Sequence, residues 1–172
     1  MKIVIVDDNA TNLVLMAALA RTAEATEVRT YESPRQALTE TIEQGADLII
    51  VDYMMPDIDG IEFIQKLREH RDFADVPMVM VTAAGDRSIR RRALEVGATD
   101  FLNKPVDTIE MKLRLANLTQ LRQARNLLND RAALLALEVQ KATAALRSGA
   151  LELVTRLAQA AEFRDPETGG HI

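Results

Sequence analysis

The chain is 172 residues long, 48% apolar and 27% charged, with 26 acidic residues against 21 basic ones and a net charge of −5. That composition suits a soluble globular domain with an appendage; it argues against a general nucleic-acid binder, and six aromatics, none of them Trp, leave little for stacking bases. The absence of cysteine and the presence of only two histidines, His70 and His171, exclude disulfide scaffolds, thiolate metal sites and a histidine cage, and no apolar run forms a signal peptide or reaches the roughly 18 residues of a membrane span, so the expected compartment is the cytoplasm.

Five short apolar runs recur along the first part of the chain: Ile3–Val6, Glu27–Tyr31, Leu48–Val51, Pro77–Val81 and Asp100–Leu102. The first, third and fourth are almost continuous in Ile, Val and Met. A strand without polar alternation is buried on both faces, so a parallel sheet covered by helices is expected. Helical patterns lie between the runs. Thr11 to Thr22 carries Leu13, Leu15, Met16 and Leu19; Ser33 is placed as an N-cap with Pro34 at the first helical position. Gly60 to His70 carries Ile61, Ile64 and Leu67, and Asp86 to Val96 ends at Gly97, where a C-terminal glycine belongs. Five strands alternating with helices predict a doubly wound α/β domain over residues 1–120.

The fifth helix runs on. From Asp107 to Phe163 there is no Pro and the only Gly is Gly149. Leu118, Arg125, Ala132, Val139, Leu146 and Leu153 recur every seven residues, and Leu121, Leu128, Leu135, Ala142 and Gly149 follow three residues behind the first five. This heptad seam, broken at Arg125 and Gly149, predicts an extended helix over 107–163 that becomes a coiled coil from about 118 and a homodimer through it. A long amphipathic helix packed on a domain absent from this chain is the alternative. The tail from Arg164 to Ile172, with Asp165-Pro166 and Gly169-Gly170, leaves the helix.

In open α/β sheets, ligands sit at the carboxyl ends of the strands. Strand one ends in Asp7-Asp8, strand three in Asp52, strand four in Thr82 and strand five in Asn103-Lys104-Pro105. Three carboxylates on one rim raise each other's pKa unless a cation relieves them. Lys104 is one such cation. Oxygen ligands without His or Cys favour Mg²⁺ as another. An aspartate left free beside a metal-bound phosphoryl group is placed to attack phosphorus.

These residues carry a resemblance. Ile5-Val6-Asp7-Asp8-Asn9, Leu48 through Gly60 with Asp52 at the end of its apolar run, Val81-Thr82-Ala83 and Gly97 through Pro105 together resemble the receiver domain of two-component response regulators. The resemblance implies a flavodoxin-like sheet in the order 2-1-3-4-5 and makes Asp52 the phosphoacceptor for a histidine kinase or phosphotransfer protein. It also implies Mg²⁺ held by Asp7, Asp8, Asp52 and the backbone carbonyl of Met54. Thr82, Ala83 and Lys104 become the phosphoryl-binding set, and Phe101 a switch residue that turns inward behind Thr82. The chemistry implied for this chain alone is self-phosphorylation and slow autodephosphorylation. Two other aspartate-rich α/β readings fit less well. A haloacid-dehalogenase phosphatase needs an acid two residues after the nucleophile, where Met54 stands. A flavodoxin-like cofactor site needs hydroxyls and glycines where Asp7-Asp8 stand. A dimerisation scaffold with an inert pocket, or a stand-alone receiver with protein–protein output, is the remaining alternative.

Residues Arg156 to Ile172 resemble the opening of an HD-GYP phosphodiesterase, a metal phosphohydrolase acting on cyclic di-GMP. Glu167 and His171 match metal-ligating positions there. The resemblance implies that 164–172 is the truncated start of an output domain that would use Mn²⁺ or Fe²⁺ in the full-length protein. Arg87, Arg90, Arg91 and Arg92 form a basic run on the fourth helix, expected on a solvated or partner-contacting face. No nucleic-acid or membrane partner is expected.

Overall fold

The computed structural model describes residues 1–22, 27–83 and 87–162. It divides into two units after Ala124. In the first, five strands, β1 (Lys2–Val6), β2 (Glu27–Tyr31), β3 (Leu48–Asp52), β4 (Met78–Ala83) and β5 (Asp100–Lys104), form one parallel sheet in the order β2-β1-β3-β4-β5. The helices are α1 (Ala10–Arg21), α2 (Pro34–Gln44), α3 (Gly60–Arg68), α4 (Arg87–Glu95) and α5 (Thr108–Glu162).

The continuous apolar strands are continuous because both faces are covered. Val4, Val6, Ile49, Val51, Met78 and Met80 join one core with Phe63, Ile64 and Leu67 of α3. Their strand neighbours Ile3, Ile5, Leu48, Ile50, Val79 and Val81 join a second core with Leu13 and Met16 of α1 and Met111 and Leu115 of α5. Successive strand residues point to opposite faces, so one run feeds two cores. The edge strands β2 and β5 are only partly buried, and their sequences are correspondingly polar.

Local signals set the helix ends. Asn9 caps α1, accepting from the amides of Thr11 and Asn12; Ser33 caps α2 ahead of Pro34; Asp59 caps α3. Gly97 has φ 102° and closes α4, with its amide bonded to the Leu94 carbonyl and that of Ala98 to Ala93. Its carbonyl accepts from Arg68 Nε at 3.0 Å and Nη2 at 2.7 Å, which ties the end of α3 to the loop before β5. The third helix stops at Arg68, two residues before the expected His70, and a 3₁₀ turn at Arg71–Phe73 follows.

Three strands run past their apolar runs. β3 includes Asp52, β4 includes Thr82 and Ala83, and β5 includes Asn103 and Lys104. The ladder continues through Asp52↔Val81, Thr82↔Asn103 and Ala83↔Lys104. The polar residues at the sheet's carboxyl edge are therefore held by backbone pairing. Among the described residues, no helix is long and apolar enough to cross a membrane.

Candidate phosphoryl-transfer site

Strand order reverses between the adjacent strands β1 and β3, since α1 after β1 packs into one core and α3 after β3 into the other, and the crevice at such a point collects ligands. Asp7 directly follows β1 and is fully buried; Asp52 closes β3 and is 1% exposed; Thr82 on β4 is buried; Asp8 is exposed. One carboxylate oxygen from each of Asp7, Asp8 and Asp52 can be chosen so that all three lie within 4.8 Å of one another. Lys104 reaches in from the end of β5, with Nζ 2.7 Å from Asp52 Oδ1 and 3.4 Å from Asp7 Oδ2.

Burial pushes the Asp52 carboxyl above the usual carboxylate range, and the neighbouring Asp7 charge adds to this; the Lys104 hydrogen bond and charge offset it in part. For Lys104, burial pulls the ammonium down, but the hydrogen bond and charge of Asp52 and the charge of Asp7 outweigh it and hold it above the usual lysine value. The ammonium stays charged, facing an excess of carboxylates.

Two buried oxygens stand out. Asp52 Oδ2 and Thr82 Oγ1 have no hydrogen-bond partner among the described residues. Leaving such groups unpaired in a dry interior costs about 1–3 kcal/mol each. A cation beside Asp52 and an acceptor oxygen beside Thr82 would satisfy them. The donor set fits Mg²⁺: hard oxygens, few protein ligands and an exposed Asp8 where water can complete the shell.

The loop between β3 and α3 is folded back tightly over Asp52. The Tyr53 amide donates to the Val81 carbonyl at 2.8 Å, and the Gly60 amide to the Tyr53 carbonyl at 3.0 Å. Asp57 has φ 68°, and the Ile58 amide donates across it to the Pro56 carbonyl at 2.8 Å, a γ-turn that is rare and strained for a residue with a Cβ. The Met54 side chain is 71% exposed, so what this residue can offer the site is its backbone.

Two features were missed by sequence reasoning. The first is Asn12. Its Nδ2 donates to Asp7 Oδ1 at 3.2 Å and Oδ2 at 3.0 Å, while the Asn9 amide donates to Oδ1 at 2.8 Å. An amide five residues beyond a carboxylate becomes its partner only because α1 turns back at Asn9. Groups that orient metal ligands typically govern 10–100-fold in affinity. Asn12→Ala is therefore expected to weaken Mg²⁺ binding about tenfold by calorimetric titration, with the fold retained.

The second is the setting of Phe101. The ring is half-buried, with the Arg90 guanidinium carbon 4.4 Å from its centroid and that of Arg114 5.8 Å away. Arg90 also donates to Asn103, and Arg114 pairs with Asp100 and Glu110. Arg90 thus faces β5, unlike Arg91, which pairs with Glu95 along its own exposed helix. Among the predicted residues, Asp7, Asp8, Asp52, Thr82 and Lys104 come together. Ala83 is exposed beside Thr82, and Phe101 stands between arginines. Glu167 and His171, like all of 164–172, lie outside the described residues.

The response regulator receiver domain family model matches residues 3–116. The cyclic di-GMP phosphodiesterase response regulator RpfG of Xanthomonas campestris is 35% identical over 173 aligned residues, covering 100% of this chain and 46% of that protein. A probable cyclic di-GMP phosphodiesterase of Vibrio cholerae is 29% identical, covering 99% of this chain and 38% of its own length. The chain thus spans less than half the length of these relatives. Among solved structures, the receiver domain of a sensor histidine kinase from Pseudomonas aeruginosa, which has a magnesium ion coordinated in its active-site cleft, is 26% identical. That match covers 68% of this chain and 95% of the other, with a TM-score of 0.61.

Proposed function

The chain belongs to the response regulator receiver family, and from that membership we propose that Asp52 takes a phosphoryl group from the phosphohistidine of a histidine kinase or phosphotransfer protein. An Asp52 oxygen bonds to phosphorus as the phosphorus–nitrogen bond of the donor imidazole breaks, and the released imidazole nitrogen keeps the electron pair. Asp7, Asp8, Asp52 and the Met54 carbonyl would hold Mg²⁺, which when bound offsets the charge of the transferring oxygens. Lys104, now shared between Asp52 and Asp7, gains new acceptors as the acyl phosphate forms, and the unpaired Thr82 hydroxyl gains one too. The Ala83 segment moves with Thr82, and Phe101 answers that movement.

The observation that carries the reading is the pair of buried, unpartnered oxygens, Asp52 Oδ2 and Thr82 Oγ1, beside a lysine already held in place. Intact-mass measurement after incubation with acetyl phosphate tests it. One labile phosphoryl adduct that requires Mg²⁺ is expected; no adduct, or one indifferent to EDTA, would overturn the assignment.

The two phosphodiesterase relatives match the chain from end to end, which supports an output domain of HD-GYP type in the full-length protein. Glu167 and His171 would then contribute to a Mn²⁺ or Fe²⁺ centre. Hydrolysis of cyclic di-GMP by the full-length protein, lost on chelation, tests this.

We further read α5 as the relay, through pairing of two copies. Its buried residues end with Met111, Leu115, Leu118 and Thr119; Leu121, Leu128, Leu135, Val139, Leu146 and Leu153 are 57–75% exposed. Removal of 121–172 should convert a dimer to a monomer or a weaker dimer in sedimentation equilibrium. An equally tight dimer would place the interface on the sheet domain.

A further inference from the structure

The heptad reading of α5 leaves two flaws, Arg125 and Gly149, and runs next into Arg156. A different period removes all three. Ala124, Leu128, Ala132, Leu135 and Val139 are followed, eighteen residues on, by Ala142, Leu146, Ala150, Leu153 and Leu157, and the pattern reopens at Ala160. Every position is apolar. Eighteen residues at about 3.6 per turn are five whole turns, so these side chains stay on one straight line along an undistorted helix. A strict seven-residue repeat slips by about 20° per heptad on such a helix, which carries its later members to Gly149 and Arg156.

We infer that two copies of this chain pair along this eighteen-residue seam as nearly straight helices, with little of the left-handed supercoil that a heptad seam imposes. The inference rests on the dimer reading above and specifies the face. Side chains are exposed all around residues 123–160, so nothing described in the chain covers the stripe. From Ala124 to Ala160 it is roughly 54 Å long and about 10 Å wide. Two such faces remove on the order of 1,000 Å² from water, the lower bound for a stable interface. A second copy offers the same period over the same length, so its layers meet the first helix's layers throughout. Gly149 lies at the margin of the seam, and a Cβ built there meets nothing within 4 Å.

The chain has no cysteine, so single cysteines can be read one at a time by their rate of maleimide labelling. Ala142→Cys lies on the seam in both readings, and Ser148→Cys lies off both. The eighteen-residue seam predicts that Ala150→Cys and Leu157→Cys label on the order of tenfold more slowly than Ser148→Cys. Arg156→Cys should label nearly as fast as Ser148→Cys, and Gly149→Cys, at the margin of the seam, faster than Ala150→Cys. Protection at 149 and 156 with free labelling at 150 and 157 would restore the heptad seam and overturn the inference while keeping the dimer. Equal labelling at 142 and 148 in a chain that sediments as a monomer would overturn both. Protection that persists at concentrations where the chain is monomeric would place another part of the chain on the seam and likewise overturn the inference. The Arg156 and Leu157 pair carries the same contrast if Gly149→Cys disturbs the helix.

Discussion

Asp52→Asn is expected to abolish the acyl phosphate, lowering uptake from acetyl phosphate by on the order of 10³-fold or more, to background. The amide matches the carboxylate in shape but is not a nucleophile toward phosphorus. The fold should survive, since Lys104 keeps Asp7 at 3.4 Å. A second readout follows from burial. In the metal-free protein the Asp52 carboxyl titrates above the usual carboxylate range. A folded-state pKa above the unfolded one means that stability is lost as pH rises through that window and regained as pH falls. Without Mg²⁺, the variant should melt above the wild type at neutral pH, and the gap should shrink toward pH 4. Undiminished phosphorylation of the variant would remove Asp52 from the chemistry. A gap that widened on acidification would contradict the burial argument alone.

Gly60→Ala should damage the protein by another route, through structure. A Cβ at Gly60 would stand 2.5 Å from the Asp52 carbonyl oxygen, 3.0 Å from the Tyr53 Cα and 3.1 Å from the Asp52 carbonyl carbon. All three are backbone atoms, and the Asp52 carbonyl belongs to a central strand. No flexible side chain can yield. Overpacking of this kind costs about 3 kcal/mol, or roughly 10 °C in melting temperature for a domain of this size. Where the variant folds, the nucleophile itself is displaced, so Mg²⁺-dependent phosphorylation should slow at least about tenfold, a misplacement effect. A variant within about 1 °C of wild type would show that the first turn of α3 can lift away from β3 at little cost.

The sheet was legible because burial on two faces leaves an unmistakable composition. Ile3–Val6 and Leu48–Val51 have no polar position, and only a covered parallel strand asks for that. The helix starts were legible where a side chain does the capping, as at Ser33 before Pro34. Three strand ends were legible too: Asp52, Thr82 and Lys104, expected to close strands three, four and five, are paired there, and only β4 runs one residue further, to Ala83. The cluster of Asp7, Asp8, Asp52, Thr82 and Lys104 could be assembled from topology alone, because the five residues follow four apolar runs that end on one edge of the sheet. Asn12 could not: its contact with Asp7 depends on the angle at which α1 leaves Asn9, which no period or composition encodes. Nor could the surroundings of Phe101. Four clustered arginines read as one charged face, and which of them turns toward β5 is decided by the phase of α4 against the sheet.

The arginines around Phe101 make that ring a shared part of two helices. Arg90 belongs to α4 and Arg114 to α5, and both guanidinium groups lie within 6 Å of the ring centroid. Each such contact is worth about 0.5–1 kcal/mol near the surface. If the ring departs, both charges lose their aromatic partner in the same step, at a combined cost of roughly 1–2 kcal/mol. Intermediates in which one helix has let go and the other has not gain nothing from the half-release. One aromatic side chain on the edge strand thus links two helices, and a displacement of β5 would act on α4 and α5 together.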